Sequence, residues 1–298
     1  MSSEHVLGPH QYGKAECRLV RVERSTPEHA LADLTVTTQL RGDFDAAYTE
    51  GDNAHVHATD TQKNTVYALA KEHGVGSPEA FLLVLAGHWR AQPWVTGTQM
   101  AAQQHSWERI GAGTPGAGHS FARTGGEVRT AVVQTDGAET FVLGGLSGLT
   151  VLKSTGSEFS GFPRDRWTTL AETTDRILAT SVTAWWRYAA APADWDAAHS
   201  AVRAALVDAF AGTHSLALQQ TIHAMGGAAL DAVPELAEIR ISCPNKHHFE
   251  VDLAPFGLTN GGEVFLAADR PYGLIQATIQ RAGVPDEPRA WTAVPAFA

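Results

Sequence analysis

A chain of 298 residues has room for about two domains with a sizeable core, and its 44% hydrophobic and 18% charged content is that of an ordinary soluble globular protein. The formal net charge of −10 argues against a nucleic-acid surface, and two cysteines, Cys17 and Cys243, exclude a disulfide framework or a four-thiolate metal site. The opening residues carry no apolar signal region, the longest apolar run (Ala80 to Gly87) is too short to span a bilayer, and the closing AVPAFA is no peroxisomal address, so a cytoplasmic protein with no membrane or nucleic-acid partner is expected.

Two strand-like runs come first. Ala15 to Glu23 alternates, with Cys17, Leu19 and Arg21 on one face, and Ala32 to Leu40 alternates and is rich in β-branched residues. Two helices follow. The first is expected to start on an Asp60 cap, to bury Val66, Leu69 and Ala70, and to stop at Gly74; the second takes Ser77 as N-cap and Pro78 as its first residue. Strand character returns in WVTGTQMAAQQ, SFART, EVRTAVVQ and TFVLGG, with a hairpin signal at Asp136-Gly137.

The second half repeats that order. LTVLKST and RILATSVTAWWRY read as strands, DWDAAHSAVRAALVDAFAG and HSLALQQTIHAMGGAALDAV as helices. AEIRISCPNKHHFEVDL, EVFLAA and LIQATIQ read as strands again, with a turn at Asn260-Gly261. The twofold order predicts an α+β protein of two similar units, residues 1–139 and 140–298, whose antiparallel sheets carry helices on one face. Open sheets of this kind leave edges, which natural proteins often cover by assembly.

Short motifs are mostly uninformative. GAGTPG (111–116) fits G-x-G-x-x-G but precedes strand-like sequence, so it reads as a loop and not as a dinucleotide site. The histidines are scattered; His55 and His57 share a face only if their segment is a strand, and no carboxylate has ligand spacing, so no metal site is expected. In PNKHHFEVDL a regular strand would put Asn245 and His247 on one face and His248 on the other. Alone, that stretch is equally well an exposed polar edge. Arg176 after Asp175 reads alone as a surface ion pair, Phe159 as core, Thr59-Asp60 as a helix cap and Lys14 as solvated.

Taken together, these blocks carry more. The run from Leu149 to Arg176, LTVLKSTGSEFSGFPRDRWTTLAETTDR, closely resembles the signature of the urate oxidase (uricase) family. YGK at 12–14, GDNAHVHATDTQKNTVYALAKE at 51–72, HSF at 119–121, ALQQT at 217–221 and PNKHHFEVDL follow in matching order. Two departures are Ala117, where family members commonly have a second histidine, and Trp167, where the signature has tyrosine or phenylalanine.

The resemblance implies a tandem of two tunnelling-fold (T-fold) units, each a four-stranded antiparallel sheet with two helices. Such chains close β-barrels as dimers and stack as homotetramers with active sites shared between subunits. It implies oxidation of urate by O2 and water to 5-hydroxyisourate and hydrogen peroxide, with no metal and no organic cofactor. By the same resemblance Arg176 and Gln219 grip opposite edges of the purine, Phe159 stacks on it, and Leu218 and Asp60 contribute backbone contacts. Asn245 lies at the O2 or water position, and Lys14, Thr59 and His247 form a proton relay, Lys14 and Thr59 reaching in from the neighbouring subunit. The alternatives are another T-fold purine- or pterin-handling enzyme, or a non-catalytic purine-binding protein that kept the fold.

Overall fold

The computed structural model describes residues 5–111, 113, 117–268 and 270–294, and the chain divides into two compact units. Unit 1 runs to Gly145 and takes back the chain from Pro285; unit 2 runs from Leu146 to Val284.

Unit 1 opens with β1 (Tyr12–Glu23) and β2 (Ala30–Gly42), antiparallel, with Tyr12 opposite Leu40 and Glu23 opposite Ala30. The alternation in β2 has its consequence in packing: Leu34, Val36, Thr38 and Leu40 are all fully buried on one face. A short helix, α1 (Asp45–Thr49), buries no residue and so leaves no periodic trace in the sequence. Next come α2 (Thr59–His73) and α3 (Pro78–Arg90). Ser77 caps α3 as expected, its hydroxyl accepting from the Ala80 N–H at 3.2 Å, an interaction worth about 1 kcal/mol.

Asp60 does not cap α2. Ala58 holds the cap position, and the Asp60 carboxylate sits in the first turn, where it accepts from Lys63 and Asn64 and complements the positive end of the helix. Gly74, at φ 78°, does end the helix.

The remaining strands of unit 1 are β3 (Val95–Gln104), the small pair β4 (Trp107–Arg109) and β5 (Phe121–Arg123), β6 (Val128–Asp136) and the start of β7 (Glu139–Lys153). The main sheet of this unit runs β1-β2-β3-β6-β7. α3 packs on β3 and β6 and α2 on β1. Phe81, Leu82, Leu85 and Trp89 of α3 recur at helical spacing and lie in one apolar core with Leu34, Val36, Met100, Ala131 and Val133. Each such side chain contributes about 1.5–3 kcal/mol on burial. Arg129 on β6 donates to Glu79 on α3 at 2.7 Å; both are buried, and breaking the pair from one side costs about 3–5 kcal/mol. The returning C-terminal segment is pinned through Gln134, which donates to the Arg289 carbonyl at 2.6 Å and accepts from Thr292 at 2.9 Å.

TFVLGG and LTVLKST are not two strands but one. β7 runs unbroken through Gly144 and Gly145, and only Gly148, at φ 76°, takes a conformation reserved for glycine. The division between units falls inside this strand.

Unit 2 continues from β7 through β8 (Leu178–Tyr188), α4 (Trp195–Gly212), α5 (Leu218–Ala232), β9 (Leu236–Asn245), the short pair β10 (His248–Glu250) and β11 (Phe265–Ala267), and β12 (Gly273–Gln280). Its main sheet runs β7-β8-β9-β12. Asp194 caps α4, and Val202, Leu206 and Phe210 of that helix are buried at four-residue spacing. α5 lies on β9 and β12, so close that a Cβ at Gly226 would meet the Ile279 side chain at 2.6 Å. Arg187 on β8 donates to Glu238 opposite it on β9 at 2.7 Å, both buried.

PNKHHFEVDL is not a continuous strand. β9 ends at Asn245, Lys246 and His247 lie in a break, and pairing resumes at His248 in a different sheet. The Lys246 N–H bonds the Ala179 carbonyl at 2.8 Å, still in line with the β8–β9 register, and the His247 carbonyl accepts from the Ala268 N–H, already in line with the β10–β11 register, so the chain changes partners between the two residues.

Each unit is therefore a mixed α/β body with an antiparallel sheet and helices packed on it. Positions 112 and 114–116 of GAGTPG, and residues 295–298 of AVPAFA, lie outside the described residues. Among the described residues no helix is long and apolar enough to cross a membrane.

Candidate functional site

The candidate residues fall into two sets, one in each unit. In unit 1 the set is Lys14, Thr59 and Asp60. Lys14 lies on β1 opposite Thr38, half-buried, immediately before a bulge where the register shifts and Glu16 takes a φ of 56°. Its neighbour Gly13 is obligatory. A Cβ there would sit 1.8 Å from the Thr38 carbonyl oxygen, backbone against backbone, so only glycine lets β1 approach β2 this closely.

The fully buried Thr38 hydroxyl donates to Gln62 of α2 at 2.8 Å, and Gln62 lies one turn beyond Thr59. One hydrogen bond thus ties the strand pair bearing Lys14 to the helix end bearing Thr59. Lys63 holds the Asp60 carboxyl below the usual carboxylate range, chiefly by its hydrogen bond, and the charge of Lys14 adds to the effect. Lys14 therefore lies within electrostatic reach of the Thr59-Asp60 turn.

His55 and His57 lie in the loop before α2 and not on a strand, yet both stack on Trp94, with ring centroids 5.2 and 5.6 Å away. Among the described residues no group of three or more His, Cys, Asp or Glu is arranged to hold a metal ion. Both cysteines are free and buried, and burial pushes the Cys243 thiol up to about 11, which keeps it protonated and unreactive.

In unit 2 the set begins with Phe159 and Arg176. The backbone of Phe159 pairs with Thr173 through bonds of 2.9 and 3.0 Å, which draws the GSEF segment alongside the chain leading into Arg176. The Phe162 ring lies nearly parallel to Phe159 at 4.9 Å, and the Arg176 guanidinium lies 5.2 Å from the same Phe159 ring centre. Arg176 is no surface partner of Asp175. The Asp175 carboxylate instead accepts from the Thr155 hydroxyl and the Gly156 N–H, while Arg176 Nε donates to the Ser157 hydroxyl at 3.3 Å. Burial lowers the pKa of this guanidinium, the direction expected of a cation partly stripped of water. With Nε engaged, its two terminal nitrogens form a fork suited to a planar anion.

Leu218 and Gln219 open α5, with Leu218 buried and Gln219 exposed. Ala217 offers no side-chain cap; Gln220 reaches back to accept from the Leu216 N–H at 2.9 Å, which leaves the Gln219 amide uncommitted to capping. Asn245, almost fully buried, pairs with Thr180 on one side and Gly273 on the other. His247, in the break after β9, accepts at its carbonyl from Ala268 and stacks its ring near Phe249 at 5.8 Å. Trp167 is 74% exposed beneath the Arg166 guanidinium, so its larger ring meets no steric limit. Ser157 escaped the sequence reading; its one signal was a place two residues before Phe159.

These arrangements gain meaning from known proteins. The family model described as Uricase matches residues 10–134 and 142–276. A uricase of Arthrobacter globiformis is 58% identical over 293 residues, covering 98% of this chain and 95% of that protein. A uricase of Dictyostelium discoideum is 35% identical over 275 residues, covering 91% of this chain and 96% of that protein. The crystal structure of the Arthrobacter globiformis uricase superposes with a TM-score of 0.93 over 97% of this chain and 100% of that one. Urate oxidase from Bacillus sp. TB-90, only 22% identical, shares the fold at a TM-score of 0.77, covering 91% of this chain and 100% of that chain. The chain belongs to the uricase family.

Proposed function

We propose that this protein is a urate oxidase that converts urate, O2 and water to 5-hydroxyisourate and hydrogen peroxide, with no metal or organic cofactor. The observation that carries the reading is the Arg176 fork, anchored by its Nε and lying over Phe159. A planar anion paired with that fork, in its plane, lies stacked on the phenylalanine. Gln219 meets the opposite edge with its amide, and Leu218 and Asp60 contribute backbone contacts.

O2 takes electrons one at a time, so a closed-shell donor must first be made electron-rich. Removing protons from urate does this, and Arg176 stabilises the resulting anion. Lys14, Thr59 and His247 carry the protons, with Lys14 as base and the Thr59 hydroxyl as conduit. Asn245 holds O2 or water above the ring. Two electrons leave the purine, O2 becomes peroxide, and water supplies the hydroxyl at the oxidised carbon.

Units 1 and 2, which follow the expected division at 139/140 except that the boundary lies a few residues on, inside β7, and that the chain from Pro285 returns to unit 1, are read as T-fold units, and the working form as a homotetramer in which Lys14 and Thr59 serve a site on a neighbouring copy. Edge chemistry supports this. The unit 1 sheet ends in β1 with Val20 56% exposed, and the unit 2 sheet ends in β12 with Leu274 52% exposed. Such edges are satisfied by pairing with another chain. Two buried free thiols fit a reducing cytoplasmic setting.

The test is direct. Urate incubated with the protein under air is expected to lose its ultraviolet absorbance while one peroxide appears per urate consumed. Tight urate binding without turnover would instead favour a purine-binding protein.

A further inference from the structure

Given the urate-oxidising reading above, on which this rests, we infer that Ser157, Ser215 and Thr221 form a buried hydroxyl tie that fixes Arg176 relative to Gln219 and thereby sets affinity for the planar purine anion. All three side chains are fully buried. Buried hydroxyls cost free energy unless bonded, so three in one place call for a reason.

The bonds trace a path between the two purine grips. Arg176 Nε donates to Ser157 Oγ at 3.3 Å. The Ser157 and Ser215 segments then pair as an isolated parallel bridge, with Ser215 N–H on the Gly156 carbonyl at 2.9 Å and Glu158 N–H on the Ser215 carbonyl at 2.7 Å. Thr221 Oγ1 donates to Ser215 Oγ at 2.8 Å, and Thr221 lies in the same first turn of α5 as Gln219, so the bond fixes the helix start that carries Gln219. On either side the path is braced: His214 contacts Glu158 at 2.5 Å, and Asp175 holds Thr155 and Gly156.

A rigid planar ligand held at opposite edges demands a fixed spacing between its two grips, because a misplacement of a fraction of an ångström weakens both contacts. Ser157 engages the only hydrogen on Nε, which sets the rotation of the guanidinium and aims its terminal nitrogens. Ser157 and Thr221 are thus positioning residues that act through Arg176 and Gln219.

The test compares Ser157→Ala, Thr221→Val and Thr221→Ser with the wild-type protein. Valine keeps the threonine shape and removes the hydroxyl, whereas serine keeps the hydroxyl. Steady-state kinetics with urate are paired with calorimetric affinity for xanthine, a planar purine lacking the 8-oxo group. Ser157→Ala and Thr221→Val are expected to raise KM for urate about tenfold and to weaken xanthine binding in parallel, with kcat held within about twofold. Thr221→Ser is expected to restore both. Unchanged KM in Thr221→Val, or loss confined to kcat or melting temperature, would overturn the assignment. If Ser157→Ala fails to fold, the two Thr221 variants decide the matter. Failure of the wild-type protein to consume urate would sink the urate reading, and this inference with it.

Discussion

Lys14→Met is expected to fold normally and to bind urate nearly as well as wild type, while kcat falls roughly 100- to 10,000-fold, the usual range for a lost general base. Methionine keeps the unbranched stem, so packing beside the β1 bulge survives and only the amine is removed. The structural premise is specific. Gly13 lets β1 close on β2, the Thr38–Gln62 hydrogen bond carries that position to α2, and the Lys14 charge is felt at Asp60. Since the same charge adds a little to the hold that Lys63 has on the Asp60 carboxyl, the variant should also let that carboxyl rise slightly, a shift readable by NMR titration. A variant with unchanged kcat and raised KM would assign Lys14 to binding instead.

Arg176→Ala should do the opposite. Removing a half-buried guanidinium that pairs bidentately with an anion costs about 2–5 kcal/mol, so KM for urate is expected to rise on the order of 100-fold or more, with a smaller change in kcat. Arg176→Lys should recover little, because an ammonium cannot hold two parallel bonds in the plane of the ring. Steady-state kinetics on the three proteins check this. If lysine restored wild-type KM, a point charge would suffice and the planar-fork account would be wrong.

The fold was legible wherever one residue's chemistry decided the local outcome. Alternation in β2 marked its buried face, Ser77-Pro78 marked the start of α3, and Asp194 began α4. Reading failed where tertiary partners overruled local preference. Gly144 and Gly145 look like punctuation, yet β7 passes through them as one strand of the sheet. Asp60 looks like a cap, but Lys63 and Asn64 recruit its carboxylate. After Asn245 the chain passes from β8 to β11, with the Lys246 N–H still on Ala179 and the His247 carbonyl already on Ala268, so the alternation that sorted His247 from His248 has no single strand to act on.

The site shows the same division. Resemblance named Arg176, Phe159 and Gln219, and no periodicity or spacing could have done so. The buried groups near them were invisible for a different reason. Ser157, Ser215 and Thr221 are ordinary small polar residues whose meaning lies in being buried together, and Thr38 and Gln62 meet only once β2 and α2 are packed. Sequence displays chemical type; it does not display which hydroxyls lose their water.

The central claim is that the deprotonated purine itself passes electrons to O2. Turnover of metal-stripped protein under air, with a strong chelator present and urate loss and peroxide followed together, tests it most directly. An undiminished rate with one peroxide per urate is the predicted result; a rate abolished by the chelator and restored by added iron or copper would contradict it.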